Sequence, residues 1–283
     1  MNIKTAVYKK IISFLSVAVL FLLITNYLAL RKLDLATRGV TPVEENFAES
    51  VPAIVPGSKE KKIAGKIVLI IDDFGYRDDT ISAGFLDLGI AITCAIIPGH
   101  EQTRKFAEKA SSAGQEVIIH MPMESGIPVP GEEDYKIKTG MTSEEIEWRI
   151  REVLKDIPEA VGMNNHQGSK ATTDGKVMSV VGSVLKKHGK YFVDSRTSKE
   201  TVGEKTMRSL GVPTMRRHVF LDNDSDVKKI SDQLAQLVQM ARKQGKALGI
   251  GHARPNTLKV LKKEIPHLLD EGFQFEFASQ IVN

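Results

Sequence analysis

The 283-residue chain predicts an α/β fold: a parallel sheet of seven or eight strands, open or closed into a barrel, behind an N-terminal transmembrane helix. Three observations carry this expectation. From Ala64 onward, short apolar runs rich in β-branched residues alternate with helical patterns, as strand–helix units do. Five of those runs end in Asp, His or Asn, at the strand ends where parallel α/β folds gather their ligands. Finally, Ile11–Leu30 is 20 residues without a charge; as a helix it spans about 30 Å, the thickness of a bilayer core.

The N-terminal segment sets the organisation. Lys9 and Lys10 precede the apolar run and Arg31 and Lys32 follow it, so flanking charge only weakly favours a cytoplasmic N-terminus. A cleaved signal would show a shorter apolar core and a small-x-small cleavage site, and Thr25–Lys32 offers no clean one. Residues 1–32 are therefore expected to be a signal anchor. Residues 33–63, with three prolines and several acids, read as a flexible tether. Residues 64–283 form one domain, expected to be extracytoplasmic (periplasmic or at the cell surface), or secreted if the signal is cleaved.

Composition narrows the function. With 42% hydrophobic and 26% charged residues, the bulk of the chain is globular rather than disordered or collagen-like. The lone Cys94 excludes an internal disulfide framework and a Cys-rich zinc module. The net charge of +4 is unevenly spread. Residues 1–38 hold six bases against one acid, residues 39–60 one base against four acids, and the rest is close to neutral. Nucleic acid, which needs a clustered cationic face, is not an expected partner.

The elements follow in order. Lys66–Asp72 is a buried strand by its unbroken apolar run, Asp79–Leu88 a helix and Ile90–Ile97 a strand. His100–Ala113 is helical and Gln115–His120 a third strand. After a Gly/Pro-rich loop, Thr142–Glu145 is a capping box opening an amphipathic helix. Ala160–Asn164 is a short strand, Gly175–His188 a helix, Lys190–Asp194 a strand, Lys199–Leu210 a helix and Val212–Met215 a strand. Asp226–Gln244 is the clearest helix, with Ile230, Leu234, Leu237, Val238 and Ala241 on one face and Gly245 closing it. Lys246–His252 is a strand, Leu258–Leu269 a helix, and Phe273–Ala278 the last strand.

Chemistry collects at the strand ends: Asp72-Asp73, His120, Asn164-Asn165-His166, Asp194 and His252. Adjacent carboxylates repel, so Asp72 and Asp73 call for a raised pKa or a nearby cation. A metal ion would take one as a ligand and leave the other as a base, although Asp-Asp-x-Gly also makes a good turn. Neutral imidazoles are the commonest protein ligands for zinc, which suits His120 and His166. Gly162 and Gly168 flank the Asn-Asn-His group and would let backbone approach a ligand. Asn164 and Asn165 could meet substrate or orient ligands. His252 suits an acid or a helix cap, and His100 lies close enough to line the same face. No Gly-x-Ser-x-Gly elbow, P-loop or Gly-x-Gly-x-x-Gly after the first strand supports a rival chemistry.

Taken in order, IDDFG, HMPME, GMNNHQGS, FVDSRT, VFLDN and GHARP resemble the divergent polysaccharide deacetylase family over all of residues 64–283. The resemblance implies a distorted (β/α) barrel of the kind shared by metal-dependent deacetylases and glycoside hydrolases. It implies Asp72 as general base, Asp73 as metal ligand and His120 as a second ligand. Where the wider group places another ligating histidine, this chain has Glu124. The third ligand is then Glu124 or His166, and the family's own motif favours His166. Asp194 would poise His252 as the acid, and Asn164, Asn165, Glu124 and Arg254 would contact substrate. The implied activity is removal of N-acetyl groups from an envelope polysaccharide or peptidoglycan strand with a divalent ion, most simply zinc. The alternatives are a barrel that binds carbohydrate or scaffolds the envelope without catalysis, and a glycosidase pairing Asp72 with Asp194 or Glu124.

Overall fold

A computed structural model describes residues 63–127 and 132–283. The expected anchor at 1–32 and the tether, except Ile63, lie outside the described residues. Among the described residues no helix is long and apolar enough to cross a membrane.

Strands and helices alternate as the sequence predicts. The order is β1 (Gly65–Phe74), α1 (Thr80–Leu86), β2 (Thr93–Ile96), α2 (Thr103–Ser112), β3 (Glu116–Met123), α3 (Ser143–Asp156), β4 (Gly162–Gln167) and α4 (Gly175–Lys187). It continues with β5 (Tyr191–Asp194), α5 (Gly203–Leu210), β6 (Thr214–Arg216), β7 (Val219–Phe220), α6 (Val227–Gln244), β8 (Lys246–His252), α7 (Pro255–Asp270) and β9 (Phe273–Glu276). All pairings between these strands are parallel.

The sheet runs β6-β5-β4-β3-β2-β1-β8-β7, with β9 added to the first half of β1. Its two edges, β6 and β7, are consecutive pieces of one chain segment separated only by Arg217 and His218. That segment leaves β5, where Arg217 N donates to Asp194 O, and joins β8, where His218 N donates to Leu248 O. The sheet is therefore curled into a half-barrel, its two edges drawn toward each other by chain continuity. β7 has only two residues, too few to show any periodicity in the sequence.

Both faces of the sheet are covered, which explains the unbroken apolar run of β1. Val68, Ile70, Ala95, Ile118, Val193, Leu248 and Ile250 fill the concave side, closed by Ala278 and Ile281. Ile67, Leu69, Ile71, Cys94, Ile96 and Ile119 face the helices instead. Burying each larger side chain contributes about 1.5–3 kcal/mol. Cys94 is a free, buried thiol in this outer layer.

Local differences from the expected boundaries have local causes. β2 starts at Thr93 rather than Ile90 because the Gln115 side chain takes the ladder's place, accepting from Ile92 N and donating to Ile90 O. α7 starts at Pro255, whose fixed φ suits a first helical turn. The capping box is present: Glu145 N donates to Thr142 Oγ1, and Thr142 N to Glu145 Oε2. Asp226 caps α6 and Gly245 ends it in the left-handed conformation.

Candidate active site

Neighbouring side chains on a strand point to opposite faces, yet Asp72 and Asp73 both reach the barrel mouth. The register between β1 and β2 shifts between Ile71 and Phe74, and Asp73 has a φ of 68°. This bulge turns the second carboxylate back toward the first. A left-handed aspartate is strained, so the arrangement is held by its surroundings. His120 Nε2 lies 3.6 Å from Asp72 Oδ2 and 3.4 Å from Asp73 Oδ1.

β3 and β4 bring the histidines to the same point. His120 is level with Asn164 across the ladder. Asn164 Nδ2 donates to Asp72 Oδ1 at 2.8 Å, which turns its oxygen toward His120 Nδ1 at 2.7 Å. His120 Nδ1–H thus donates to Asn164, leaving Nε2 aimed at the carboxylates. His166 Nδ1 is 3.0 Å from His120 Nε2 and 3.4 Å from Asp73 Oδ1.

Electrostatics follow from this crowding. Burial raises the Asp72 pKa despite the facing histidines His120 and His252. Burial also works against the charge on Asp73, but His120 and His166 outweigh it and hold its carboxyl far below the ordinary range. For His120 burial disfavours the imidazolium, while Asp72 and Asp73 lift it to about 9.

A second pair flanks the cluster. His252 ends β8, with Nε2 3.9 Å from Asp73 Oδ2. Its Nδ1 meets Asp222 Oδ1 at 2.8 Å, while Asp222 Oδ2 accepts from His252 N and Thr257 Oγ1. Burial opposes both charges, but the contact holds Asp222 low and lifts His252. The Asp222 carboxylate fixes Nδ1–H as donor and turns Nε2 to the mouth.

This corrects the role expected of Asp194, which does not touch His252. Its oxygens accept from Arg196 N, Thr201 Oγ1 and Glu204 N, so it organises the loop after β5 and the start of α5. That use also delays α5 from Lys199 to Gly203. Asp222 follows β7 by two residues, and a strand that short gave its carboxylate no strand-end signal.

Other predicted residues divide between the site and its supports. Glu124 is turned away: it accepts from Thr139 N, Thr139 Oγ1 and Lys170 Nζ. It is neither a ligand nor a partner for Asp72, and with Asp194 also committed, the glycosidase pairing has no geometric support. Asn164 and Asn165 are buried, which removes them as substrate contacts. Asn165 ties β4 to the next loop, donating to Gln167 O and accepting from Ser195 N. Arg254 stands exposed at the start of α7, its guanidinium 3.3 Å from Asp222 O. Gly162 and Gly168 make room for protein, not for ligand: a Cβ at either would strike the Tyr191 ring or Met123.

The three donor atoms of Asp73, His120 and His166 all lie within 4.8 Å of one another. Zinc holds such ligands at about 2.0–2.2 Å, which sets donors about 3.3–3.6 Å apart around a tetrahedron, close to the spacings found. Asp73 Oδ1 is buried and has no hydrogen-bond partner among the described residues, as an atom awaiting a cation would be. Gln167 adds a further sign. Its Nε2 sits 3.2 Å from His166 Nε2 while its Oε1 is buried without a partner among the described residues. A half-turn of the amide would let Oε1 accept from His166 Nε2–H and leave Nδ1 free to ligate. The donor set fits a divalent cation.

Known proteins resemble this chain in sequence and in fold. A family model described as divergent polysaccharide deacetylase matches residues 69–282. The chain is 36% identical over 206 residues to the uncharacterized protein YibQ of Escherichia coli (strain K12). That alignment covers 73% of this chain and 64% of the relative, so the chain spans a little under two thirds of the relative's length. Among solved structures, an uncharacterized Agrobacterium tumefaciens C58 protein, ATU2773, superposes with a TM-score of 0.72 at 18% identity, covering 80% of this chain and 92% of that one. A mutant of the Bacillus anthracis CE4 family pseudoenzyme BA3943, with restored enzymatic activity, gives a TM-score of 0.50 at 14% identity, covering 80% of this chain and 70% of that one. At these identities the two structures share the fold.

Proposed function

This chain belongs to the divergent polysaccharide deacetylase family, and from that premise we propose that it is a metal-dependent hydrolase removing N-acetyl groups from an envelope polysaccharide or peptidoglycan strand. The observation that carries the reading is the convergence of Asp73, His120 and His166 on one point, beside a buried carboxylate and a carboxylate-held histidine.

Asp73, His120 and His166 would hold the ion, which when bound supplies a Lewis acid and lowers the pKa of its water toward about 7. Asp72 is the base: burial raises its proton affinity, and Asn164 fixes one oxygen so that the other faces the centre. It would take a proton from the attacking water as that water's oxygen bonds to the acetamido carbon. His252 is the acid: its Nε2–H protonates the amide nitrogen as the C–N bond breaks, and Asp222 stabilises the imidazolium before transfer. Acetate and a free sugar amine are the products. The run at Ile11–Leu30 supports a membrane-anchored enzyme acting outside the cytoplasm.

A chain with Glu124 in place of a ligating histidine could also bind glycan without turnover. His166 supplies an alternative ligand, so the substitution is no obstacle to catalysis. The test is elemental analysis of the purified chain followed by acetate release from N-acetylated glycans. We expect one zinc-class ion per chain, lost in Asp73→Ala, and acetate release that the same substitution abolishes. Glycan binding without an ion and without acetate would overturn the reading.

A further inference from the structure

β1, β3, β4 and β8 all deliver chemistry to the barrel mouth, but the loop after β2 delivers none that catalysis uses. It does carry His100, beside Tyr76 from the loop after β1. Their rings meet with centroids 4.2 Å apart. Tyr76 Oη donates to Glu132 Oε1 at 2.7 Å, and the same oxygen lies 3.2 Å from His100 Nε2. The Glu132 side chain is nearly buried at 7% exposure, whereas Tyr76 keeps 39% of its surface open. One carboxylate thus holds two rings upright at the rim.

The platform is also fixed from below. Ile97 N donates to Phe74 O, binding the second loop to the end of β1. The buried Thr103 hydroxyl donates to Ile97 O and accepts from His100 N. Tyr76 stands three residues beyond Asp73, on the loop that follows β1, so the platform lies on the strand-end face that carries the metal-ligand cluster. None of these groups is needed to hold an ion or to move a proton in the reaction above.

A pyranose has one face of C–H groups and a rim of hydroxyl and acetamido groups. A rigid exposed ring bordered by an imidazole and a carboxylate complements both. We propose that Tyr76, His100 and Glu132 form a carbohydrate subsite. It receives the sugar next to the one whose acetamido group is cleaved, stacks it on Tyr76, and hydrogen-bonds its rim through His100, while Glu132 holds both rings in place. This rests on the reading of the substrate as an N-acetylated glycan.

The test uses the full chain, titrated calorimetrically with N-acetylglucosamine oligomers of one to five sugars, beside Tyr76→Ala and Tyr76→Phe. The parent should bind oligomers more tightly than the monosaccharide. Tyr76→Ala should weaken oligomer binding about tenfold and leave monosaccharide binding unchanged. Tyr76→Phe, which keeps the ring but not its tether, should lose less. Circular dichroism melting checks that each variant folds. If Tyr76→Ala binds every oligomer as the parent does, or the parent binds none, the subsite is refuted. Tyr76-dependent oligomer binding without acetate release would uphold the subsite and refute deacetylation. Acetate release by the parent with the same KM in Tyr76→Ala at every length would do the reverse.

Discussion

Asp222→Asn separates the proposed acid dyad from every other account of His252. The carboxylate makes three contacts: His252 Nδ1 and His252 N, each at 2.8 Å, and Thr257 Oγ1 at 2.6 Å. An amide preserves the shape, but one end must now face a donor with an NH2 group. If that end meets His252 Nδ1, the ring is forced into the tautomer that accepts there, and the imidazolium loses its counter-charge. A charge-assisted hydrogen bond of this kind contributes about 1.5–3 kcal/mol. Its loss alone reduces the supply of the protonated acid by about 10- to 150-fold, reaching at its upper end the range of about 10²–10⁴ that general acid catalysis contributes. We expect kcat for acetate release to fall by that order, with metal content unchanged. Long-range proton–nitrogen NMR should show the His252 titration moved to lower pH, since the contact that raises it is gone. Asp194→Asn is the contrast: its NH2 group must face a donor, either Arg196 N or the Thr201 Oγ1 and Glu204 N pair, which should destabilise the fold by about 1–3 kcal/mol without moving the His252 titration. If Asp222→Asn leaves that titration in place, or Asp194→Asn shifts it as far, the assignment of Asp222 is wrong.

Other outcomes follow from the ligand cluster. Gln167→Ala should weaken zinc binding by about 10- to 100-fold in a competition assay with a chromogenic chelator, because His166 loses its tautomer-setting partner; unchanged affinity would dismiss that role. The metal-free protein should lose stability as pH rises. His120 is lifted from an ordinary value near 6.5 to about 9, so its contribution is complete below about 6.5 and is lost through about 9, up to about 3 kcal/mol. Thermal melts of the metal-free chain from pH 6 to 10 measure this, and a flat profile would contradict it. Zinc must displace the His120 proton, so its stabilising effect should grow across the same window.

Much of the site was legible because it obeys one rule, that parallel strands end on one face. Asp72, Asp73, His120, His166 and His252 were each marked by an apolar run long enough to read. Asp222 lies two residues past a strand of only two, so although it stands within VFLDN the sequence points to Asp194, at the end of a longer strand, for its role. The Glu124 question also lay beyond one-dimensional reading, because β4 brings His166 to the position only through its register with β3. Gln115 was equally silent: a side chain standing in for a strand ladder shortens β2 without altering its apolar pattern. The helices were the easiest part, since caps such as Thr142 and Asp226 and the closing Gly245 act locally.

The left-handed Asp73 turns a cost into a record. The position would be more comfortable as glycine or asparagine, the residues most used at left-handed positions, and either would also relieve the crowding of two neighbouring carboxylates. A chain released from the need for a ligand there should drift toward those residues and melt higher for it, as stability rises when a functional strain is surrendered. Glycine or asparagine at this one place would therefore mark, in sequence alone, a descendant that has exchanged its chemistry for a more stable barrel.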